Sequence, residues 1–346
     1  MAALDVPQQL AAFPNTRFMG SKYKLIPSIY QVVNQLQFST VLDLFSGTAV
    51  VSYLFKSMGK SVVSNDYMAM AYTFARALIE NSSVRLEGED VHYLLNAPVE
   101  SDGFVRRTFE GLYYSAEDND FIDEVRARIA AMEDVGKHSL AQAALIRACM
   151  KKRPRGIFTY TGFRYDDGRR DLRLSLREQF VEAVGAFNHA VFDSGSPCSA
   201  RQGDALAPIE GDFDLVYLDP PYFSPLSDNE YVRRYHFVEG IARDWRGVAI
   251  QQNTKTKKFK SYPTPFSRRD DASEAFEELF DRYRRSTLLV SYSSNSLPGR
   301  EEMISFLRNA GKEVEVVPVD YRYSFGNQAN SKTRRNQVKE YLFVGL

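Results

Sequence analysis

Thr40-Val41-Leu42-Asp43-Leu44-Phe45-Ser46-Gly47-Thr48 is the stretch that sets the fold. Its apolar first half reads as a short buried strand and Ser46-Gly47-Thr48 as a turn of small residues. Val50, Val51, Tyr53, Leu54 and Phe55 then form an apolar helix that ends at Gly59. Strand, small turn and helix amino terminus together make the ligand-binding corner of a doubly wound α/β sheet. A second strand, Ser61 to Ser64, finishes at Asn65-Asp66. Asp66 stands about twenty residues beyond the loop, where such folds place an acid to hold two ribose hydroxyls.

The loop carries Gly47 but has Ala49 where a second glycine is expected, so a pyrophosphate-hugging GxGxxG is absent. A nucleoside without phosphates, such as S-adenosylmethionine, therefore fits the corner better than a dinucleotide. Asp43 would then face the ammonium group of its methionine. Gly203-Asp204 sits in a later loop from which an acid could reach the cofactor's adenine amino group or simply cap the next turn.

A second corner follows the apolar run Phe213 to Leu218, a buried strand stopped by Asp219-Pro220-Pro221-Tyr222. Two prolines stiffen the chain and remove amide donors, so Asp219 and the Pro220 carbonyl can both accept hydrogen bonds from one amino group. Tyr222 offers a face to a planar base. A flipped nucleobase with an exocyclic amine suits such a pocket, although a strand followed by Asp-Pro-Pro is also a plain strand-ending turn.

Bulk composition narrows the partners. Over 346 residues 44 basic side chains balance 44 acidic ones, so a polyanion can be bound only through segregated charge. Cys149 and Cys198 lack metal-ligand spacing and the histidines are scattered, which argues against a zinc site or a disulfide scaffold; no metal is expected. The first sixteen residues lack the pattern of a secretory signal and no run is long enough to span a membrane. A soluble, cytoplasmic protein is the expectation.

Charge is segregated where the α/β pattern breaks. From about Val84 to Asn188 mixed helical segments run without a second βα series. Within them Lys151, Lys152, Arg153 and Arg155 precede the aromatic stretch Gly156 to Tyr165, which includes Arg164, and Asp167-Gly168 reads as a hairpin turn. Arg169, Arg170 and Arg173 continue the basic run. Lys257, Lys258 and Lys260 form a second cluster. Basic residues interleaved with aromatics suit a nucleic-acid surface, against the alternative of a solvated charged face.

Taken in order, these motifs resemble the Dam-type, DPPY-motif family of adenine-specific DNA methyltransferases. The resemblance covers most of the chain. Arg17-Phe18-Met19-Gly20-Ser21-Lys22 is similar to the family's amino-terminal cofactor motif, Asp43 to Thr48 to its cofactor loop, Asn65-Asp66 to its ribose acid, and Asp219 to Tyr222 to its catalytic motif. By itself the Gly20-Ser21-Lys22 turn could be no more than a helix start.

The resemblance implies a Rossmann-like catalytic domain at 1–84 and 199–346, and a mostly helical target-recognition insertion at 85–198 carrying a β-hairpin. It implies Arg17, Met19, Gly20, Lys22, Asp43, Leu44, Phe45, Ser46, Gly47, Thr48, Asp66 and Asp204 around S-adenosylmethionine. It further implies methyl transfer to the 6-amino group of an adenine flipped from duplex DNA, by a monomer, either in restriction-modification with a cognate endonuclease or acting alone. Two rivals remain: a methyltransferase acting on RNA or another amine, and a non-catalytic DNA-binding protein that keeps the fold.

Overall fold

The computed structural model describes residues 6–162, 165–221, 230–262, 264–322 and 337–346. The chain opens with α1 (Ile26–Val33), β1 (Thr40–Asp43), α2 (Val50–Ser57), β2 (Ser61–Asp66) and α3 (Ala69–Ala75). The connection from β2 to β3 then holds α4 (Gly88–Asn96), α5 (Phe104–Thr108), α6 (Ala116–Ala130), α7 (Val135–Lys151), α8 (Arg170–Arg173) and α9 (Leu176–Ala190). After β3 (Cys198–Gln202) and β4 (Leu215–Leu218) come α10 (Tyr231–Arg243), α11 (Arg269–Arg282), β5 (Thr287–Ser293), α12 (Arg300–Asn309), β6 (Val314–Arg322) and β7 (Gln337–Gly345).

The strands form one sheet in the order β3-β2-β1-β4-β5-β7-β6. Neighbours from β3 to β5 run parallel, and β7 is antiparallel to both β5 and β6. The strand order reverses between β1 and β4, where Asp43 pairs in register with Tyr217. The carboxyl ends of two such strands leave a crevice between their loops, and this is where doubly wound sheets bind ligands.

Period-two alternation divides the core between the faces of the sheet. Val41, Leu215, Tyr217 and Leu289 pack on the side of α1 and α2. Leu42, Val216, Leu218, Leu288 and Val290 pack against Phe276, Leu279 and Phe280 of α11 and Met303 and Leu307 of α12. The inserted helices join the first of these cores through Leu140, Leu145, Phe180 and Phe187, so they are continuous with the sheet's own packing. Caps fix where they start: Ser115 opens α6, Asp134 opens α7, and Ser175 with Glu178 forms a reciprocal capping box on α9.

The hairpin expected around Gly156 to Arg169 is not formed by the described residues, which run through turns. Its carbonyls go elsewhere. Arg153 is 1% exposed, and its guanidinium donates to the carbonyls of Gly162 at 2.9 Å and Tyr160 at 2.8 Å while lying over the rings of Tyr113, Phe158 and Tyr160. A backbone that wraps a buried cation has fewer groups left for a strand ladder. The one isolated antiparallel bridge of the described residues joins Ile250 to Phe259 and presents the second basic cluster at its turn.

Candidate active site

A cavity with about 650 Å³ of empty space, part of it open to solvent, lies at the crevice between β1 and β4. Asp43, the end of β1, and Asp219, just past β4, both line it. Gly20, Ser21, Lys22, Phe45, Ser46, Gly47, Thr48, Asp66, Tyr67 and Pro221 add further wall. A second chamber of about 340 Å³ adjoins it, sharing Phe45, Tyr67 and Pro221 and adding Leu44 and Asp204.

The two acids at the strand ends stand in different settings. Asp43 is buried; its Oδ2 accepts from the Ser52 hydroxyl at 2.6 Å, whereas its Oδ1 has no partner among the described residues. Burial, then the neighbouring charges of Asp219 and Asp66, push it up to about 7. Asp219 is paired instead, its Oδ1 lying 2.7 Å from the Lys22 ammonium. Lys22 is itself buried and also donates to the Gly20 carbonyl at 3.3 Å, so the amino-terminal motif holds the catalytic candidate in place.

Asp66 ties the corner together. Its Oδ2 accepts from the Gly47 amide and its Oδ1 from the Met68 amide, both at 2.9 Å. Burial raises it to about 6. The wall thus carries Asp43, Asp66 and Asp219 against Lys22 among the described residues, an excess of negative charge that suits a cationic ligand. The Ser46 hydroxyl is, like Asp43 Oδ1, buried without a partner among the described residues. A bare acceptor and a bare hydroxyl on one wall fit the ammonium and carboxylate of an amino-acid moiety.

Backbone conformation explains the small residues. Gly20 has φ +78°, and a Cβ there would come within 2.5 Å of the Tyr231 hydroxyl. Ala49, at the place of the missing glycine, also adopts a left-handed conformation, φ 64°. Its strain of ~1–2 kcal/mol is offset by its buried methyl, ~0.8 kcal/mol, and by the entropy a glycine would add to the unfolded chain. Ala49→Gly should accordingly shift stability by less than ~1 kcal/mol and leave ligand affinity nearly unchanged. A loss above ~2 kcal/mol in denaturant unfolding would contradict this.

Not every expected residue reaches the cavity. Arg17 turns away from it, donating to the carbonyls of Lys151 and Arg153 and pairing with Asp171 at 2.5 Å, and so pins the insertion instead. Met19 contributes its amide to the Tyr235 hydroxyl at 2.7 Å and does not line the cavity. Asp204 both borders the second chamber and caps its own turn through the Leu206 amide. Pro220 is buried. Tyr222 lies outside the described residues.

Tyr217, Met68, Met70 and Ala71 line the cavity without having been expected there, and Phe18 and Tyr231 join them. Tyr231 and Tyr235 are one helical turn apart and both stack on Phe18, at 5.6 and 4.8 Å between ring centres. That spacing was visible in the sequence; their partner across the fold was not.

The basic residues separate into anchors and exposed groups. Arg153 is buried, so it does not present a charge to a ligand. Lys151 pairs with Asp171 at 2.7 Å, and Lys152 pairs with Asp118 and caps the Leu174 carbonyl. Arg155 is exposed and stacks on Tyr165 at 3.7 Å. Arg169 and Arg170, though exposed, are held by Asp167 and Glu182. Arg173 is exposed and donates to the Gly168 carbonyl. Lys257 and Lys258 are half-buried on the turn and Lys260 is exposed. Arg164 lies outside the described residues.

The family model described as D12 class N6 adenine-specific DNA methyltransferase matches residues 18–293. Among curated relatives, the Type II methyltransferase M2.HphI of Haemophilus parahaemolyticus is 27% identical over 96% of this chain and 97% of its own length. The Type II methyltransferase M.NlaIII of Neisseria lactamica is 24% identical over 94% and 98%. The Type II methyltransferase M.FokI of Planomicrobium okeanokoites is 25% identical over 94% of this chain, which spans 52% of that protein.

Proposed function

Because the chain belongs to the D12 class of N6 adenine-specific DNA methyltransferases, we propose that its crevice holds S-adenosylmethionine and delivers a methyl group to the 6-amino nitrogen of an adenine turned out of duplex DNA. The observation that carries this reading is the meeting of Asp43 and Asp219 in one acidic cavity at the strand-order reversal. Asp43 and Ser46 would hold the amino-acid end of the cofactor, and Asp66 its ribose. Leu44, Phe45, Tyr67 and Asp204 would enclose its adenine in the second chamber. When bound, S-adenosylmethionine supplies a methyl carbon made electrophilic by a positively charged sulfur.

The chain's own residues would do the rest. An adenine amino group is a weak nucleophile because its lone pair is drawn into the ring. Asp219 and the Pro220 carbonyl would accept its two N–H bonds, favouring a tetrahedral nitrogen and returning electron density to it. Lys22 orients the Asp219 carboxylate for that task. The nitrogen's surplus proton leaves to Asp219 or to water. Tyr222 would stack on the base and fix its approach.

Residues 85–198 would form the DNA-reading insertion beside the catalytic portion. The exposed arginines at 155–173 and the lysine turn at 257–260 would grip phosphates. Replacing Lys257, Lys258 and Lys260 together by alanine should flatten the slope of log K against log salt by ~2.7, about 0.9 for each phosphate that is no longer neutralised. A slope equal to that of the unmodified protein would remove this turn from the DNA surface. No helix among the described residues is long and apolar enough to cross a membrane. The relatives are named as type II methyltransferases, which supports a place in restriction-modification, where a cognate endonuclease would act beside this protein.

The test is transfer of label from methyl-labelled S-adenosylmethionine to duplex DNA and, separately, to RNA. Label in DNA is expected. Label in RNA alone would contradict the duplex reading, and cofactor binding with no label in either would favour a non-catalytic DNA-binding protein.

A further inference from the structure

Glu239 lies in the middle of α10, fully buried and outside both chambers. A carboxylate leaves water at a large cost unless its oxygens are filled. Here they are: Oε1 accepts from the Ala69 amide and Oε2 from the Met70 amide, each at 2.9 Å, and the Tyr262 hydroxyl donates to Oε1 as well. The preceding amide, Met68, is taken by Asp66, whose other oxygen holds Gly47 of the cofactor loop.

Three successive amides are thus divided between two carboxylates, one at the end of β2 and one on α10. Amides at a helix start have no partner within the helix, so their acceptors decide where the helix sits. Tyr67, Met68, Met70 and Ala71, on this same turn, are cavity wall. The Tyr262 ring adds an edge-on contact with Tyr67, 5.5 Å between centres.

We propose that Glu239, assisted by Tyr262, is a positioning residue for the cofactor half of the site. It fixes the start of α3, and through it the Tyr67 wall and the orientation of the Asp66 carboxylate. This rests on the cofactor reading above. Glutamine at 239 keeps the shape but turns an amide donor toward a backbone donor, so one of the two clamps is lost. Phenylalanine at 262 removes only the hydroxyl.

Equilibrium dialysis with S-adenosylmethionine, run on the full chain and on Glu239→Gln and Tyr262→Phe, tests the proposal alongside duplex DNA binding and thermal unfolding. The dissociation constant for S-adenosylmethionine should rise about tenfold in Glu239→Gln, ~1.4 kcal/mol, and roughly threefold in Tyr262→Phe. DNA affinity should stay within about twofold, and kcat at saturating cofactor within about threefold, since neither residue touches the Asp219 pocket. Unchanged cofactor affinity in Glu239→Gln with a lowered Tm would make Glu239 a helix cap only and overturn the proposal. If that variant does not fold, Tyr262→Phe decides, and unchanged affinity there overturns it. An unmodified protein that binds no S-adenosylmethionine overturns the cofactor reading and this inference together; binding that is equal in all three proteins overturns this inference alone.

Discussion

Asparagine in place of Asp219 should lower kcat for methyl transfer by ~10²–10³-fold, while S-adenosylmethionine binds with nearly unchanged affinity; this is the cost of losing one preorganised group aimed at charge that develops in the transition state. Asparagine still presents a carbonyl to an amine, so geometry survives; what disappears is the negative charge that returns electron density to the nitrogen. The substitution also leaves the buried Lys22 ammonium facing a neutral amide. Breaking a buried pair in this way costs ~3–5 kcal/mol when nothing replaces the partner. Activity therefore has to be measured where circular dichroism shows the variant folded. Full turnover in folded Asp219→Asn would contradict the role given to this acid.

The second large effect concerns binding rather than chemistry. Asp43→Asn should weaken S-adenosylmethionine by about a hundredfold or more, since truncating one member of a buried charge pair costs ~2–5 kcal/mol. The free protein should lose no stability, because the asparagine oxygen can still accept from Ser52 and a buried charge has gone. The pH dependence separates this from a packing defect. Asp43 rises to about 7 in the folded protein, chiefly by burial, against an ordinary ~3.9. Between those values the folded state keeps a proton that the unfolded chain has lost. This group's contribution to stability is therefore complete below pH ~4, and it is lost as pH rises through about 7.

Cofactor binding runs the other way. The methionine ammonium needs Asp43 ionised, so affinity should fall as pH drops below about 7. Above pH ~8 the α-amino group itself begins to lose its proton. Asp43→Asn should lack most of the acid-side slope, Asp66 supplying the remainder. Calorimetric titration across about pH 5.5–8 checks this, and an identical slope in both proteins would contradict the assignment of Asp43.

Much of this was readable from local pattern. The strand, turn and helix at Thr40 to Phe55 and the strand ended by Pro220 each carry their signal within a few residues, and parallel sheet topology then brings their ends together. Partners distant in sequence were not readable. Nothing near Arg17 announces that its guanidinium reaches Lys151 and Asp171, and the motif around it resembles a cofactor turn throughout. Gly156 shows why the two segments meet: a Cβ there would lie 2.3 Å from the Arg17 carbonyl, so the insertion passes against the amino-terminal motif.

Arg153 misled in a related way. A basic run next to aromatics suits a DNA surface, but the same aromatics can enclose one of its cations, and burial cannot be seen in residue type alone. The hairpin signal at Asp167-Gly168 failed for a local reason: the side chains of Asp166 and Asp167 take the amides of Gly168 and Arg169, and Arg170–Arg173 turns into α8 where a return strand would run. Glu239 gave no signal because a charged residue in a helix ordinarily faces solvent, and only its contact with the start of α3 shows otherwise.

The central claim is that the cavity brings an electrophilic methyl group to an amine held by Asp219 and the Pro220 carbonyl. Duplex DNA methylated by the protein from methyl-labelled S-adenosylmethionine, digested to nucleosides and resolved by mass spectrometry, tests it most directly. The account predicts label on 6-methyladenine and its loss in Asp219→Asn. Label on a pyrimidine carbon, or undiminished 6-methyladenine from the Asp219→Asn protein, would contradict it.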